Sequence, residues 1–304
     1  MRLHAASLYY FDAVRRAGSI RAAARRLNVA SSAVNRQILK LEDEIGAVLF
    51  ERVPGGVRLT AAGEALARHV VVVLQDFERA RGEIEGLKGA RIGHVDIVTI
   101  EGLTRTFLPE ALGQLHDRAP RITVSATTQG SDRIAAMVTG GQADMGIGFD
   151  IQRQPDLRQA AVARFRLGLV AAPGHPLAGR PWVTLNDCIG HRLILPDASL
   201  SIHRILRPLL ADLPPGEGAF VTSSSVQLMY RMTLAGLGIS FQTRLGLEPE
   251  LARGELVHVP LMRQGEPMWS ELGIYVRAGR SLAPSVDLTL RLMADHLVAV
   301  AREG

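Results

Sequence analysis

The sequence predicts an α/β protein that carries an all-α winged helix-turn-helix at its N-terminus, a long connecting helix, and then two α/β lobes. Three observations predict it. Residues 1–60 follow helical apolar spacing and end in a turn, "PGG", between two short extended pieces. Residues 61–88 form one helical pattern with few breakers. From Gly93 onward strands and helices alternate, and the alternation runs twice with different content.

The elements come in this order. Residues 3–17 read as a helix in which Leu8, Phe11 and Val14 recur on one side. Gly18 ends it, and Ser19 can cap the next, "IRAAARRLN", whose alanines let two helices approach closely. After the turn "NVA" comes a third helix, Ser31–Ile45. At about 100° per residue, Val34, Ile38, Leu41 and Ile45 fall in one narrow arc, the expected buried stripe. Ser32, Arg36 and Asp43 fall opposite, with Asn35 and Lys40 on the flanks, and Gly46 stops the helix. "LFERVPGGVRLT" is a hairpin or wing, and Thr60 can cap the long helix after it. On that helix Leu66, Val70, Val73, Leu74, Phe77, Ile84 and Leu87 form an apolar side that nothing nearby in sequence would cover. Such a stripe predicts pairing with a second helix in a dimer.

Beyond it, "HVDIVTI", "ITVSATT" and "ADMGIGF" read as strands separated by the helices "RTFLPEALGQLHD" and "RIAAMVTGG". The second round has the strands "FRLGLVAAP", "HRLILP", "AFVTSS" and "GISFQT", with the helices "VTLNDCIG", "HRILRPLLADL" and "VQLMYRMTLAG". "ELGIYVRA" is a closing strand and residues 284–301 a closing helix.

Composition narrows the function. The chain has 304 residues, 47% of them hydrophobic, which suits two or three folded domains rather than disorder. Its formal charge is +5, and residues 1–60 hold ten Lys/Arg against five acids, so the whole excess sits in the N-terminal fifth. That asymmetry points to a module that meets a polyanion such as DNA. Cys188 is the only cysteine, so no disulfide can form within one chain, which fits a reducing cytoplasm. The N-terminus has no signal-peptide core, and the longest apolar block, Val70–Leu74, is far short of a membrane span. A protein of the cytoplasm, away from membranes, is the expectation.

Enzymatic chemistry has little support. No G-x-S-x-G elbow, phosphate-binding G-x-x-x-x-G-K-[ST] loop or H-E-x-x-H motif is present. His175 and His191 lack metal-ligand spacing, isolated Cys188 reads as a small buried apolar residue, and "GLGISF" lacks the third glycine of a dinucleotide fingerprint. No metal and no cofactor is expected.

The segment "FDAVRRAGSIRAAARRLNVASSAVNRQILKLEDEIGAVLFERVPGGVRLTAAGE" (residues 11–64), with "FLPEAL", "GGQADMGI", "PGHPLA" and "LAGLGISF" after it in that order, resembles the LysR-type transcriptional regulators over nearly the whole chain. The resemblance implies a winged helix-turn-helix on a linker helix and a two-lobed effector domain like a periplasmic binding protein. It implies a small effector between the lobes, homodimers that assemble into homotetramers, and RNA polymerase as a partner in transcription. The corresponding domains are residues 1–60 for DNA binding, 61–90 for the linker and dimer helix, and 91–304 for the effector domain. Within the last, lobe I spans about 91–162 and 268–304, and lobe II about 163–267. The family often has Ser-Gln-Pro where this chain has Ala30, Ser31 and Ser32, and Ser where it has Asn35. The usual capping serine is thus Ala30 here, and the cap is expected to shift to Ser31.

Chemistry picks out the candidate residues. The first turns of a helix in a major groove reach base edges. Asn35 can pair bidentately with adenine, and Arg36 can meet guanine or phosphate. Ser31 and Ser32 are short enough for close approach, and their N–H groups face outward at a helix start that favours phosphate. Arg52 and Arg58 flank the wing turn and can hold phosphates or enter a minor groove, Lys40 can add a phosphate contact, and Asp43 and Glu44 should point away. The plainer alternative is a solvated, well-capped helix face.

For the effector, ligands in α/β sheets sit beyond the carboxyl ends of strands. Those ends are "TIEGLT" (99–104), "TTQGS" (127–131), "GIGFD" (146–150), "LPDASLSIH" (195–203) and "VTSSSVQ" (221–227). Thr99, Ser131, Ser199, Ser201 and Ser223 can converge on a carboxylate, or can simply cap helices. Phe149 either lines an aromatic or apolar pocket or belongs to the core, and Glu101 is awkward for an anionic effector unless it points outward, the alternative being a bond to an effector hydroxyl or amine. A second function class is a hydrolase with a basic accessory domain, for which Ser199 or Ser201 with His203 would be the nucleophile and base.

Overall fold

The computed structural model describes residues 6–87, 92–210, 219–279 and 281–303. Residues 3–5 of the expected first helix, Lys88, the expected domain border at 90/91 and residues 211–213 of the helix "HRILRPLLADL" lie outside them. The chain divides into two compact units, one of residues 1–90, 140–142 and 281–284, the other of the remainder.

In the first unit, helices α1 (Ala6–Ala17), α2 (Ile20–Leu27) and α3 (Ser31–Ile45) close on Phe11, Val14, Ala23, Ala24, Val34, Ile38 and Leu41. Local chemistry sets their ends. Ser19 accepts the Ala22 N–H at the start of α2, and Asn28 ends it in a left-handed conformation, φ 54°. Gly46 ends α3 at φ 73°, a conformation that suits glycine. Of the stripe predicted on α3, Ile45 departs: it is 43% exposed, because the last turn of α3 runs past the three-helix core.

The wing is a two-stranded antiparallel hairpin, β1 (Phe50–Val53) and β2 (Gly56–Leu59). Two contacts anchor it. The Glu42 carboxylate on α3 accepts the N–H groups of Leu49 and Phe50 at 2.7 and 3.2 Å. The Val57 N–H donates to Gly18 O at 2.8 Å. A Cβ on Gly56 would lie 2.1 Å from that same Gly18 oxygen, so the wing must back off if any side chain is placed there. Gly56→Ala is therefore expected to destabilise the first unit by about 1–3 kcal/mol, read as a lower midpoint in thermal unfolding. An unchanged midpoint would mean the turn yields freely.

Helix α4 (Ala61–Leu87) starts at Thr60, which accepts the Gly63 N–H at 3.0 Å, as its position predicted. The stripe on α4 is not uniformly uncovered. Val70 is buried in the N-terminal core with Ala67, and Leu66 and Leu74 pack against it, so the wing and α1–α3 cover the first half. Ile84 is 55% exposed, and the Leu87 side chain lies outside the described residues.

The second unit holds β3 (Gly93–Thr99), α5 (Phe107–Arg118), β4 (Ile122–Thr128), α6 (Ser131–Thr139), β5 (Met145–Phe149), β6 (Leu157–Ala171), β7 (Leu193–Pro196), α7 (Ser201–Leu210), β8 (Ala219–Ser223), α8 (Val226–Leu234), β9 (Ser240–Thr243), α9 (Glu248–Ala252), β10 (Val257–Pro260), β11 (Met262–Arg263), β12 (Glu266–Pro267), β13 (Trp269–Arg277) and α10 (Pro284–Glu303). In one lobe β4, β3 and β5 run parallel side by side, and β13 and the first part of β6 continue the sheet antiparallel. In the other, β8 and β7 are parallel, and a parallel bridge from Leu193 to Ile239 leads to β9. The later part of β6 then pairs antiparallel with β9 and β10. The lobes thus repeat one strand order, and β6 belongs to both. Residues 157–166 pair with β13 and residues 167–171 with β9 and β10.

The sequence predicts the β6 strand only from Phe165 onward. The additional part, "LRQAAVAR", lies along the sheet edge with mixed exposure, so it carries no clean alternation. The segment "VTLNDCIG" makes only a 3-10 turn at Asn186–Cys188, and α9, β10 and the β11–β12 hairpin were not foreseen. Among the described residues no helix is long and apolar enough to cross a membrane.

Candidate nucleic-acid interface and effector site

Helix α3 places Ser31, Ser32, Arg36 and Lys40 on its exposed side, with Asn35 half-buried beside them and Val34, Ile38 and Leu41 beneath. The cap does not shift to Ser31. Ala30 is the capping residue, in extended backbone at φ −68° and ψ 141°, and it has no side-chain oxygen to offer. Its carbonyl takes the N–H groups of Ala33 and Val34, at 3.0 and 3.3 Å, so backbone geometry alone starts the helix. The N–H groups of Ser31 and Ser32 are thereby left without a side-chain cap, at the positive end of the helix dipole.

The cations of this unit differ in availability. Arg15 and Arg16 are tied to the buried Asp12 carboxylate, at 2.6 and 2.7 Å. Lys40 leans toward Glu44 at 3.7 Å, away from the start of α3, and Arg58 is paired with Glu51 across the wing at 2.8 Å. Arg21, Arg25, Arg26, Arg36 and Arg52 are exposed and, among the described residues, have no ion-pair partner. Arg58 shares a face of the hairpin with Glu51, whereas Arg52 pairs with Val57 and shares the other. The two wing arginines are therefore not brought together. The exposed arginines of α2 count in the N-terminal charge excess, but the sequence does not single them out as contacts because an Ala-rich helix signals packing first.

In the second unit the strand ends of the two lobes meet. Thr99, at the end of β3, is fully buried, and its Oγ1 has no hydrogen-bond partner among the described residues. Ser131 is buried as the first residue of α6. Phe149, at the end of β5, is half-buried and meets Phe165 edge-on with ring centroids 6.1 Å apart. Across from them, Ser199 donates its hydroxyl and its N–H to Asp197, which holds that carboxyl below its ordinary range. Ser201 begins α7, half-buried. Ser223 is buried but turned into its own loop, accepting the Ser225 N–H at 3.0 Å. The capping residue of α8 is Ser225, which accepts the Leu228 N–H at 3.2 Å.

Glu101 does not wait for an effector hydroxyl or amine. Its carboxylate crosses to the other lobe, accepting the Val226 N–H at 2.6 Å and the Ser225 hydroxyl at 3.1 Å. Arg105, which the sequence did not single out, also crosses. It donates to Gly246 O at 2.8 Å and to Glu250 at 2.9 Å, and its guanidinium lies 3.8 Å from the centre of the Tyr230 ring. Arg204 on α7 donates to Asp150 O beyond β5. Asp150 holds a left-handed conformation, φ 51°, with its carboxylate taken by Ser270 and the Glu271 N–H.

Ser199, one of the two serines a hydrolase would use, is not set against His203. The Ser199 proton is committed to Asp197, a carboxylate, rather than to His203. Cys188 is no better a nucleophile, since burial pushes its thiol up to about 12. Among the described residues no group of three His, Cys, Asp or Glu side chains is placed to hold a metal ion.

Two family models match the chain: the LysR substrate binding domain over residues 88–298, and the bacterial regulatory helix-turn-helix protein, lysR family, over residues 6–64. The chain is 28% identical over 299 residues to the HTH-type transcriptional regulator CbbR of Rhodospirillum rubrum, covering 98% of this chain and 97% of that one. Among solved structures, a full-length OxyR variant from Pseudomonas aeruginosa superposes with a TM-score of 0.72 at 19% identity, covering 98% of this chain and 95% of that one. Full-length CbnR complexed with its target DNA matches with a TM-score of 0.54 at 20% identity, over 96% of this chain and 98% of that one.

Proposed function

Because the chain belongs to the LysR-type family of transcriptional regulators, with a helix-turn-helix for DNA and an effector-binding domain behind it, we propose that the N-terminal half of α3 reads its operator from the major groove. One observation carries this: the exposed side of α3 offers Ser31, Ser32, Asn35 and Arg36 beside uncapped backbone donors, over an apolar base that already satisfies folding. Asn35 and Arg36 read base edges, and the N–H groups of Ser31 and Ser32 seat a phosphate. Arg21, Arg25, Arg26 and Arg52 hold backbone phosphates, whereas Lys40 and Arg58 contribute less because each has an acid beside it.

Asn35→Ala is expected to cost about 1–3 kcal/mol at one base position and to relax specificity there. Competition binding of full-length protein to operator and to scrambled duplex measures it. If both duplexes bind the variant as they bind wild type, Asn35 reads no base.

The domain division into residues 1–60, 61–90 and 91–304 belongs to the same proposal. Homodimers form through α4, whose exposed Ile84 lies beyond the half that the N-terminal core covers, and pairs of dimers form tetramers. The protein works in the cytoplasm with RNA polymerase. The effector enters between the lobes, its polar group meeting Thr99 and Ser131, with Phe149 and Ser201 at the margins. The unpartnered hydroxyl of buried Thr99 supports this placement. A carboxylate suits these donors. Ser199 and Ser223 shape the walls through their own loops rather than binding the ligand.

A further inference from the structure

We propose that Glu101 is a built-in anionic ligand of the second lobe: it fills the N-terminus of α8 and, with Arg105, latches the lobes together without an effector. The donors at the start of α8 are fully assigned. The Val226 N–H and, more distantly at 3.5 Å, the Gln227 N–H go to one Glu101 oxygen, and the Ser225 hydroxyl goes to the other. The next two amides, Leu228 and Met229, are taken by the Ser225 side chain and carbonyl. A carboxylate is what a helix N-terminus favours, through both its bare N–H groups and its dipole. Here the carboxylate arrives from the opposite lobe, 124 to 126 residues away in sequence.

The grip has a second jaw. Glu101 begins a short 3-10 turn, Glu101–Thr104, and Arg105 comes directly after it. Arg105 stacks on Tyr230 of the same helix α8 and bonds Glu250 of α9. Thr106 adds a hydrogen bond to Glu248 at 3.1 Å. One turn of the first lobe therefore holds α8 at its N-terminus and along its side.

A consequence for specificity rests on the reading that the effector sits between the lobes. The α8 donors are closed to an effector anion while Glu101 stays in place. A ligand with one anionic group can bind at Thr99 and Ser131 with the latch shut, whereas a second carboxylate aimed at α8 must first displace Glu101. The site thus discriminates against dianionic ligands.

The test uses full-length protein without DNA or effector. Glu101→Ala is expected to speed amide exchange at Val226 and Gln227 by about tenfold, since charge-assisted hydrogen bonds are removed, while α5 and α10 exchange as in wild type. Formate, with ionic strength held constant by chloride, should restore that protection and raise the unfolding midpoint of Glu101→Ala by about 2 °C or more, but not that of wild type. Glu101→Gln keeps the shape and loses the charge, so it should show faster α8 exchange with no response to formate. The proposal is overturned if Glu101→Gln exchanges at α8 as wild type does, or if a folded Glu101→Ala responds to formate only as it does to chloride. If Glu101→Ala does not fold, Glu101→Gln decides alone. No effector is present in these measurements, so failure of the latch and failure of the effector placement are seen separately.

Discussion

Raising salt from about 50 to about 200 mM is expected to weaken operator binding by roughly 1,000-fold or more, because each neutralised phosphate releases condensed counterions. The magnitude rests on the cations left free by the fold. Arg21, Arg25, Arg26 and Arg52, the residues assigned to phosphates, are exposed without an ion-pair partner among the described residues. Doubled in a dimer, they reach the roughly 6–10 neutralised phosphates at which so steep a dependence is seen. The internal pairings sharpen this into a ranking. Arg52→Ala and Arg25→Ala should each make the slope of log affinity against log salt shallower, by about one unit for each phosphate no longer neutralised. Arg58→Ala should change it less, because Glu51 beside it already offsets its charge at 2.8 Å. Arg15→Ala should leave the slope alone, since Arg15 serves the buried Asp12 carboxylate, although it should lower stability. Titrations of fluorescent operator duplex across a salt series measure all four. Equal slopes for Arg52→Ala and Arg58→Ala would show that the wing pairing opens on DNA and that the free protein does not predict the contacts.

The N-terminal unit was readable because its information is local. Helical spacing of Phe11, Val14, Val34, Ile38 and Leu41 sets the core, and Ser19, Gly46 and Thr60 sit where end-capping chemistry puts them. What escaped were tertiary pairings. Glu42 looks like one more acid near the end of α3, and only the fold brings Leu49 and Phe50 N–H groups to it. In the lobes, the strand ends predicted where the two lobes meet but not the state of each side chain. Among the three serines of "TSSSVQ", Ser225 was the better choice, since it directly precedes the first helical residue and caps α8. Glu101 and Arg105 could not be assigned locally, because their partners lie 124 and 145 residues further along the chain. The mixed exposure of the edge part of β6 hid half of a strand for a different reason: neither face supplies a regular apolar beat.

Glu250 carries the largest stability effect expected in the second unit. It is 4% exposed, and its Oε1 accepts from Arg105, the Tyr230 hydroxyl and Arg253, at 2.9, 3.0 and 3.1 Å. Removing one partner of a buried ion pair leaves the other charge desolvated and unpaired, which costs about 3–5 kcal/mol. Arg105 keeps some solvent contact, so Glu250→Ala is expected near the lower figure, about 3 kcal/mol, or roughly 6–12 °C in the unfolding midpoint for a unit of this size. The pH dependence has a definite sign. Burial alone pushes the Glu250 carboxyl up, but the Tyr230 hydroxyl and the Arg105 guanidinium outweigh it, and the net position is below the usual glutamate value of 4.5. A carboxyl whose pKa is lower folded than unfolded contributes stability above the unfolded value, and loses it as pH falls through the folded one. The gap in midpoint between wild type and Glu250→Gln should therefore be constant at neutral pH and shrink as the pH drops below 4.5. Because Arg105 comes from the opposite lobe, Glu250→Gln should also loosen the second jaw on α8, seen as faster exchange around Tyr230. A midpoint for Glu250→Ala within about 1 °C of wild type, less than 1 kcal/mol on this scale, would mean that the bond from Arg105 to Gly246 O and its stacking on Tyr230 hold the second jaw without Glu250.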